Sequence, residues 1–136
     1  MTTSLSPELT ELLAHLNPIL LPARYVFVTI PSGRMPPDLP AIGSFQETEG
    51  TTLICPESAL AGKQLTASDP FCLITLQVHS SLHAVGLLAV IATALAAENI
   101  PCNVISAFHH DHLFVPASLA LLALQRLEQL SRDSAA

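Results

Sequence analysis

From Ala84 to Ala97 the sequence reads AVGLLAVIATALAA, a helical run without one charged residue. It is too short to cross a bilayer, which takes about 20 apolar residues. A run of this kind has to be a helix inside a folded domain, covered on more than one face. Its flanks supply the cover. Ahead of it FCLITLQV, Phe71 to Val78, reads as a strand buried on at least one face. Behind it come CNVISAF as a strand, HHD as a turn and LFV as a further strand. A last helix follows Pro116 and sets Ala120, Ala123, Leu124, Leu127 and Leu130 on one face, with Gln125 and Gln129 opposite. Ser80 and Ser81 are expected to cap the start of the uncharged helix, and Asn99 suits the left-handed residue at its end. The order from Phe71 is β-α-β-β-α.

The first half follows a weaker version of the same plan. Ser6-Pro7-Glu8 is a helix start: a hydroxyl cap, a proline at the first helical position, then an acid at the positive dipole end. Leu9, Leu12, Leu13 and Leu16 follow at helical spacing. Pro18 and Pro22 keep the chain extended, and YVFVTI, Tyr25 to Ile30, is a strand. PSGRMPPDLP, with four prolines and a glycine, cannot be regular structure. AIGSFQET and TTLIC are strands joined by a tight turn at Glu49-Gly50, and PESALAGK is a short helix. The expected fold is α+β, two ferredoxin-like modules on a βαββαβ plan, over residues 1–65 and 66–136. The N-terminal module is degenerate, with the proline-rich loop standing where a helix should be.

Composition removes several functions. Five basic against eleven acidic residues give a net charge of -6, so neither nucleic acid nor an anionic membrane would be attracted. MTTSLSPELTELL lacks the basic flank and apolar run of a signal peptide. Cys55, Cys72 and Cys102 form no CxxC pair and read as reduced, buried thiols in a cytoplasmic protein.

Residues 78 to 116, VHSSLHAVGLLAVIATALAAENIPCNVISAFHHDHLFVP, resemble the ACT domain. More narrowly, the chain is similar to small bacterial tandem-ACT proteins, the related cytosolic arginine sensors and the regulatory domains of aspartate kinases. RYVFVTIPSGRMPPDLP and GTTLICP resemble the divergent N-terminal module of that family. ACT domains carry an Asp/Asn-x-Pro-Gly turn into their first helix; here it reads His83-Ala84-Val85-Gly86, which keeps only the glycine. The later Gly-Ile-Asn-Ile-like step reads Asn99-Ile100-Pro101-Cys102. The departures affect the family's side-chain contact to its ligand and leave the backbone part of the site intact.

The resemblance implies amino-acid binding at this turn. A helix start near Ser80-Ser81 offers free N–H groups and a positive dipole end to a carboxylate. Gly86 would allow close approach, and strand-end groups at Asn103 and Val104 would meet the amino group. His79, Leu82, His83, Val85 and Leu87 surround the same turn, and Asp111 or His112 could line a cleft between the modules. From pattern alone, the serines are ordinary caps and Gly86 a helix-packing glycine.

HHDHLFVP, residues 109 to 116, looks like a metal site, but its three histidines do not converge in either a strand or a turn. The plainer account is a polar hairpin tip, with Asp111 there for turn chemistry. Cys102, in an apolar strand, reads as core. The expectation is thus a non-enzymatic amino-acid-binding regulator with no cofactor and no metal, and a twofold homodimer. Two alternatives stand beside it: a metal-dependent hydrolase using His79, His110 and His112, and a pairing module whose ligand site has decayed.

Overall fold

The computed structural model describes residues 5–34 and 38–136. Helix α1, Pro7–Ala14, starts as its sequence dictates: Leu9 N–H donates to Ser6 Oγ at 3.1 Å, and Pro7 occupies the first turn. It buries Leu9 and Leu13. Strand β1 then runs from Pro18–Pro31, far longer than YVFVTI alone. Pro22 does not end it, because the register against its neighbour shifts between Leu20 and Arg24 and so absorbs a residue without an N–H.

Of the proline-rich stretch, Pro31 ends β1, residues 35–37 lie outside the described residues, and the rest is turn, bend or irregular. Strands β2, Gly43–Gln46, and β3, Gly50–Pro56, form a hairpin. Glu47 and Gly50 exchange backbone hydrogen bonds, so the loop is Thr48-Glu49 rather than Glu49-Gly50. Gly50 is required: its φ is 153°, and a Cβ there would overlap the carbonyl oxygen of Ile30. PESALAGK yields only a 3₁₀ turn, Glu57–Leu60. A two-residue strand that the sequence did not announce, β4 at Thr66–Ala67, pairs with β1.

Strand β5 is Phe71–Leu76 and helix α2 is Leu87–Ala96. The helix does not begin at the serines. Gly86, at φ 99°, is in the left-handed region, and a right-handed helix cannot pass through it. The other end matches expectation, with Asn99 left-handed at φ 57°. Strand β6 is Asn103–Ser106, β7 is Asp111–Pro116, and helix α3, Ala120–Ala135, follows a 3₁₀ turn at Ala117–Leu119. Ala107 N–H donates to the His110 carbonyl at 3.0 Å, so the hairpin loop is Phe108-His109. Asp111 belongs to the strand, not to the turn.

All pairings are antiparallel and the sheet is continuous, in the order β2-β3-β1-β5-β7-β6. The two halves are related by a shift of 60 residues. Gln46 pairs with Thr51 as Ser106 pairs with Asp111, and LICPES in β3 answers LFVPAS in β7. This is the tandem ferredoxin-like arrangement, mixed α and β, with the two modules sharing one sheet.

Helices α1, α2 and α3 cover one face over a core containing Leu13, Leu16, Ile74, Ile91, Leu95, Leu113 and Leu127. Full burial of each such side chain stabilises by about 1.5–3 kcal/mol. Helix α2 buries a single stripe, Leu87, Ile91, Ala94 and Leu95, while Ala89, Ala92, Thr93 and Ala96 are exposed. The expectation of burial on several faces fails because alanine tolerates water well enough to fill an outer face. In the first half, Val26, Val28, Ile30, Leu53 and Cys55 are covered by loop residues Leu39, Leu60 and Leu65 in place of helices. The opposite face of the sheet is aromatic: Phe114 meets the edges of Tyr25 and Phe27 at centroid distances of 6.1 and 5.4 Å.

Candidate functional site

The strand-to-helix segment 77–86 is irregular and closes over the end of β7. Ser81 builds a local turn in it: its carbonyl accepts from Ala84 N–H at 2.9 Å and its Oγ from His83 N–H at 3.0 Å. The hydroxyl that looked like a helix cap therefore caps a turn. Helix α2 itself starts without any side-chain cap. Its first internal bond runs from Val90 N–H to the Gly86 carbonyl, leaving the N–H groups of Leu87, Leu88 and Ala89 ahead of the ladder.

Asp111 faces this helix start. It opens β7, paired with Leu76 on one side and Ser106 on the other. That register turns its side chain toward the helices, where it is 6% exposed, the only buried charged side chain among the described residues. Its carboxylate accepts one hydrogen bond from a described residue, Ser80 Oγ at 3.3 Å from Oδ2. A buried carboxylate ordinarily collects stronger partners than one long hydroxyl contact.

Between the carboxylate and the helix start lies a cavity of about 130 Å³. Of the residues the sequence pointed to, Ser80, Ser81, Leu82, Gly86, Leu87 and Asp111 line it. Ala84, Leu88, Ala89, Ser106 and Ala107 also line it and were missed. Ser106 was legible in principle, since a two-residue hairpin loop at Phe108-His109 puts it opposite Asp111. Ala89 was hidden by the misplaced helix start.

The other candidates go elsewhere. His79, His83 and Val85 are exposed and do not line the cavity. Val104 packs against the helix-side core, and Asn103, paired with Phe114, takes the opposite face. His112 follows Asp111 by one residue and so takes the opposite face as well. There its Nδ1 lies 2.9 Å from Thr75 Oγ1, beside a second cavity of about 360 Å³ lined by Tyr25, Leu73, Ile105 and Phe114. Burial lowers the His112 pKa from 6.5, and the neighbouring His110 lowers it further against the opposing pull of Asp111. Asp111 and His112, the two alternatives for a cleft residue, are thus divided between the two faces of the sheet.

The remaining imidazoles gather at the sheet end, where the His79 ring is 4.9 Å from that of His110 and 6.1 Å from that of His109. Among the described residues no group of three or more His, Cys, Asp or Glu side chains is arranged to hold a metal ion. The cysteines are free, and burial pushes the Cys55 and Cys102 thiols up, away from nucleophilic thiolate.

Residues 6–72 match one ACT-domain model and residues 70–129 match another. A Vibrio cholerae protein of unknown function, described as a possible transport protein, is 40% identical, with 91% of this chain and 96% of that one covered at a TM-score of 0.82. An Agrobacterium tumefaciens protein is 16% identical over 84% of this chain and 87% of its own, with a TM-score of 0.72. The ligand-free regulatory subunit of aspartate kinase from Thermus thermophilus is 13% identical over 85% and 97%, with a TM-score of 0.59. The last two likenesses are of fold alone. No curated protein matches the chain. The chain belongs to the ACT-domain family and carries two ACT domains in tandem.

Proposed function

We propose that the chain is a non-enzymatic regulatory protein that binds a free amino acid in the cavity between Asp111 and the start of α2. One observation carries the reading: a buried carboxylate and an uncapped helix N-terminus face each other across a small cavity. That is a pair of opposite charges separated by room for a zwitterion. The ligand's ammonium group would donate to the Asp111 carboxylate. Its carboxylate would accept from the N–H groups of Leu87, Leu88 and Ala89, where the helix dipole adds its field. Family membership and the likeness to regulatory subunits of aspartate kinase support a regulatory rather than catalytic role.

A ligand held this way would tie the 77–86 segment, α2 and the β6–β7 hairpin together, so occupancy would report itself as rigidity of one module end. Apolar side chains left on the surface, Ile42, Phe45 and Ile105 at the two sheet edges and Leu121 on α3, support assembly into a homodimer that reads this change. Such a protein would work in the cytoplasm, where amino-acid pools vary; no helix among the described residues is long and apolar enough to cross a membrane.

Calorimetry and thermal shift against the standard amino acids test the reading. A ligand at about 100 times its Kd adds about 2.7 kcal/mol to stability. At least one amino acid should bind, and Asp111→Asn should weaken that binding by roughly tenfold to a hundredfold while the protein stays folded. If no amino acid binds at millimolar concentration, or if binding survives Asp111→Asn unchanged, the proposal is wrong. Light scattering giving a mass of 14.4 kDa at every concentration would remove the dimer.

A further inference from the structure

We infer that the site selects amino acids with small, uncharged side chains, of the glycine, alanine and serine class. The inference rests on the amino-acid reading above and deepens it. The first ground is size. A cavity of about 150 Å³ in a protein core holds benzene, about six non-hydrogen atoms. The cavity beside Asp111 measures about 130 Å³. On that scale it takes about five to seven non-hydrogen atoms, which spans glycine to serine. It is also well below the roughly 300–1,000 Å³ of sites for drug-sized ligands.

The second ground is charge. The chain has five Lys and Arg residues, at positions 24, 34, 63, 126 and 132, and none of them lines the cavity. An acidic side chain would enter without a cation to meet it. Asp111 is the only charged residue of the lining, and the ligand's ammonium group uses it. A lysine or arginine side chain would find no second anion. An ion brought out of water without a partner costs several kcal/mol, so both classes are rejected.

The third ground is the chemistry of the walls. Leu82, Leu88 and Ala107 are apolar, while Ser80 and Ser106 bring hydroxyls beside Asp111. A methyl group meets the first set, and a ligand hydroxyl can exchange hydrogen bonds with the second. A large side chain exceeds the volume of about 130 Å³.

Titration calorimetry of the full chain with each amino acid separately measures the selectivity. Alanine, serine or glycine should bind at least tenfold more tightly than arginine, lysine, glutamate, phenylalanine or leucine. Leu88→Ala should then admit valine or leucine, a gain of binding that a damaged fold cannot imitate. Equal or tighter binding of a large or charged amino acid, weakened by Asp111→Asn, would overturn the selectivity and leave the amino-acid reading standing. Tight binding of leucine before Leu88 is trimmed would have the same effect. Binding by none of them would overturn the amino-acid reading and the selectivity with it.

Discussion

Substituting alanine for Gly86 separates two descriptions of helix α2 by the sign of one free energy. If the helix began at the serines, Gly86 would lie in its interior, and Gly86→Ala would stabilise by about 1 kcal/mol. In the structure Gly86 precedes the helix at φ 99°, where a Cβ is strained by about 1–2 kcal/mol. That Cβ would also stand 3.1 Å from Leu9 Cδ2, so the leucine end must give way by a few tenths of an ångström. The side chain can rotate away at about 0.5–1.5 kcal/mol. The sum is a loss of roughly 1.5–3.5 kcal/mol. For a chain of 136 residues each kcal/mol moves Tm by about 3–4 °C, so the expected drop is roughly 5–14 °C. Gly86→Asn should lose less, because asparagine tolerates the left-handed region better. Urea denaturation of the three proteins, with the slope m held equal, measures the differences. An alanine variant as stable as the parent, or more so, would refute the left-handed start and with it the position of the three free N–H groups.

Four further outcomes follow from particular contacts. Asp111→Asn keeps the acceptor for Ser80 Oγ but removes the charge, and should weaken ligand binding by roughly tenfold to a hundredfold, the worth of a charge-assisted bond, as read by calorimetry. Leu95→Ala, at a fully buried position between α2 and the sheet, should cost about 2–5 kcal/mol in denaturant unfolding. Asn99→Ala should cost about 1 kcal/mol, because it places a Cβ without a compensating amide at φ 57°, whereas Asn99→Gly should be nearly neutral. His112, whose folded pKa lies below 6.5, binds fewer protons folded than unfolded as pH falls through that value. Its contribution is complete above pH 6.5 and is lost below it, so Tm measured between about pH 8 and pH 5 should fall less steeply in His112→Gln.

The parts of the fold legible in the sequence are those fixed by local physics. Ser6-Pro7-Glu8 began a helix because a hydroxyl, a proline and an acid each suit one position of a helix start. Asn99 ended one because few residues accept a positive φ. The failures share a cause: one residue type serves two structures. Serine caps a turn as readily as a helix, and Ser81 was in the turn. Glycine relieves packing or reverses φ, and only the fold reveals which. Aspartate favours turns, so Asp111 was set at a hairpin tip, yet the loop lies two residues earlier and the carboxylate is buried. Register decided the site. Moving the hairpin toward the N-terminus put Asp111 and Ser106 on the helix face together and sent His112 to the other side.

The same register explains why the candidate site belongs to one half of a chain with two similar halves. At the position of Asp111 the first half has Thr51, and at that of Ser106 it has Gln46, paired with each other in the same way. Thr51 is uncharged and cannot hold an ammonium group as a carboxylate does. Among the described residues the helix is missing as well. Between β1 and β2 the described residues form turn and bend, and Ser32 N–H bonds the Glu49 carbonyl, closing backbone where the second half leaves N–H groups free. Neither half of the opposed charge pair is present there. Restoring one alone would gain nothing, since Thr51→Asp would place a carboxylate at a half-buried position with no dipole across from it. The prediction is that Thr51→Asp destabilises the chain and creates no second binding event in calorimetry. A stoichiometry of two for that variant would mean that the helix start is dispensable and that the carboxylate alone recruits the ligand.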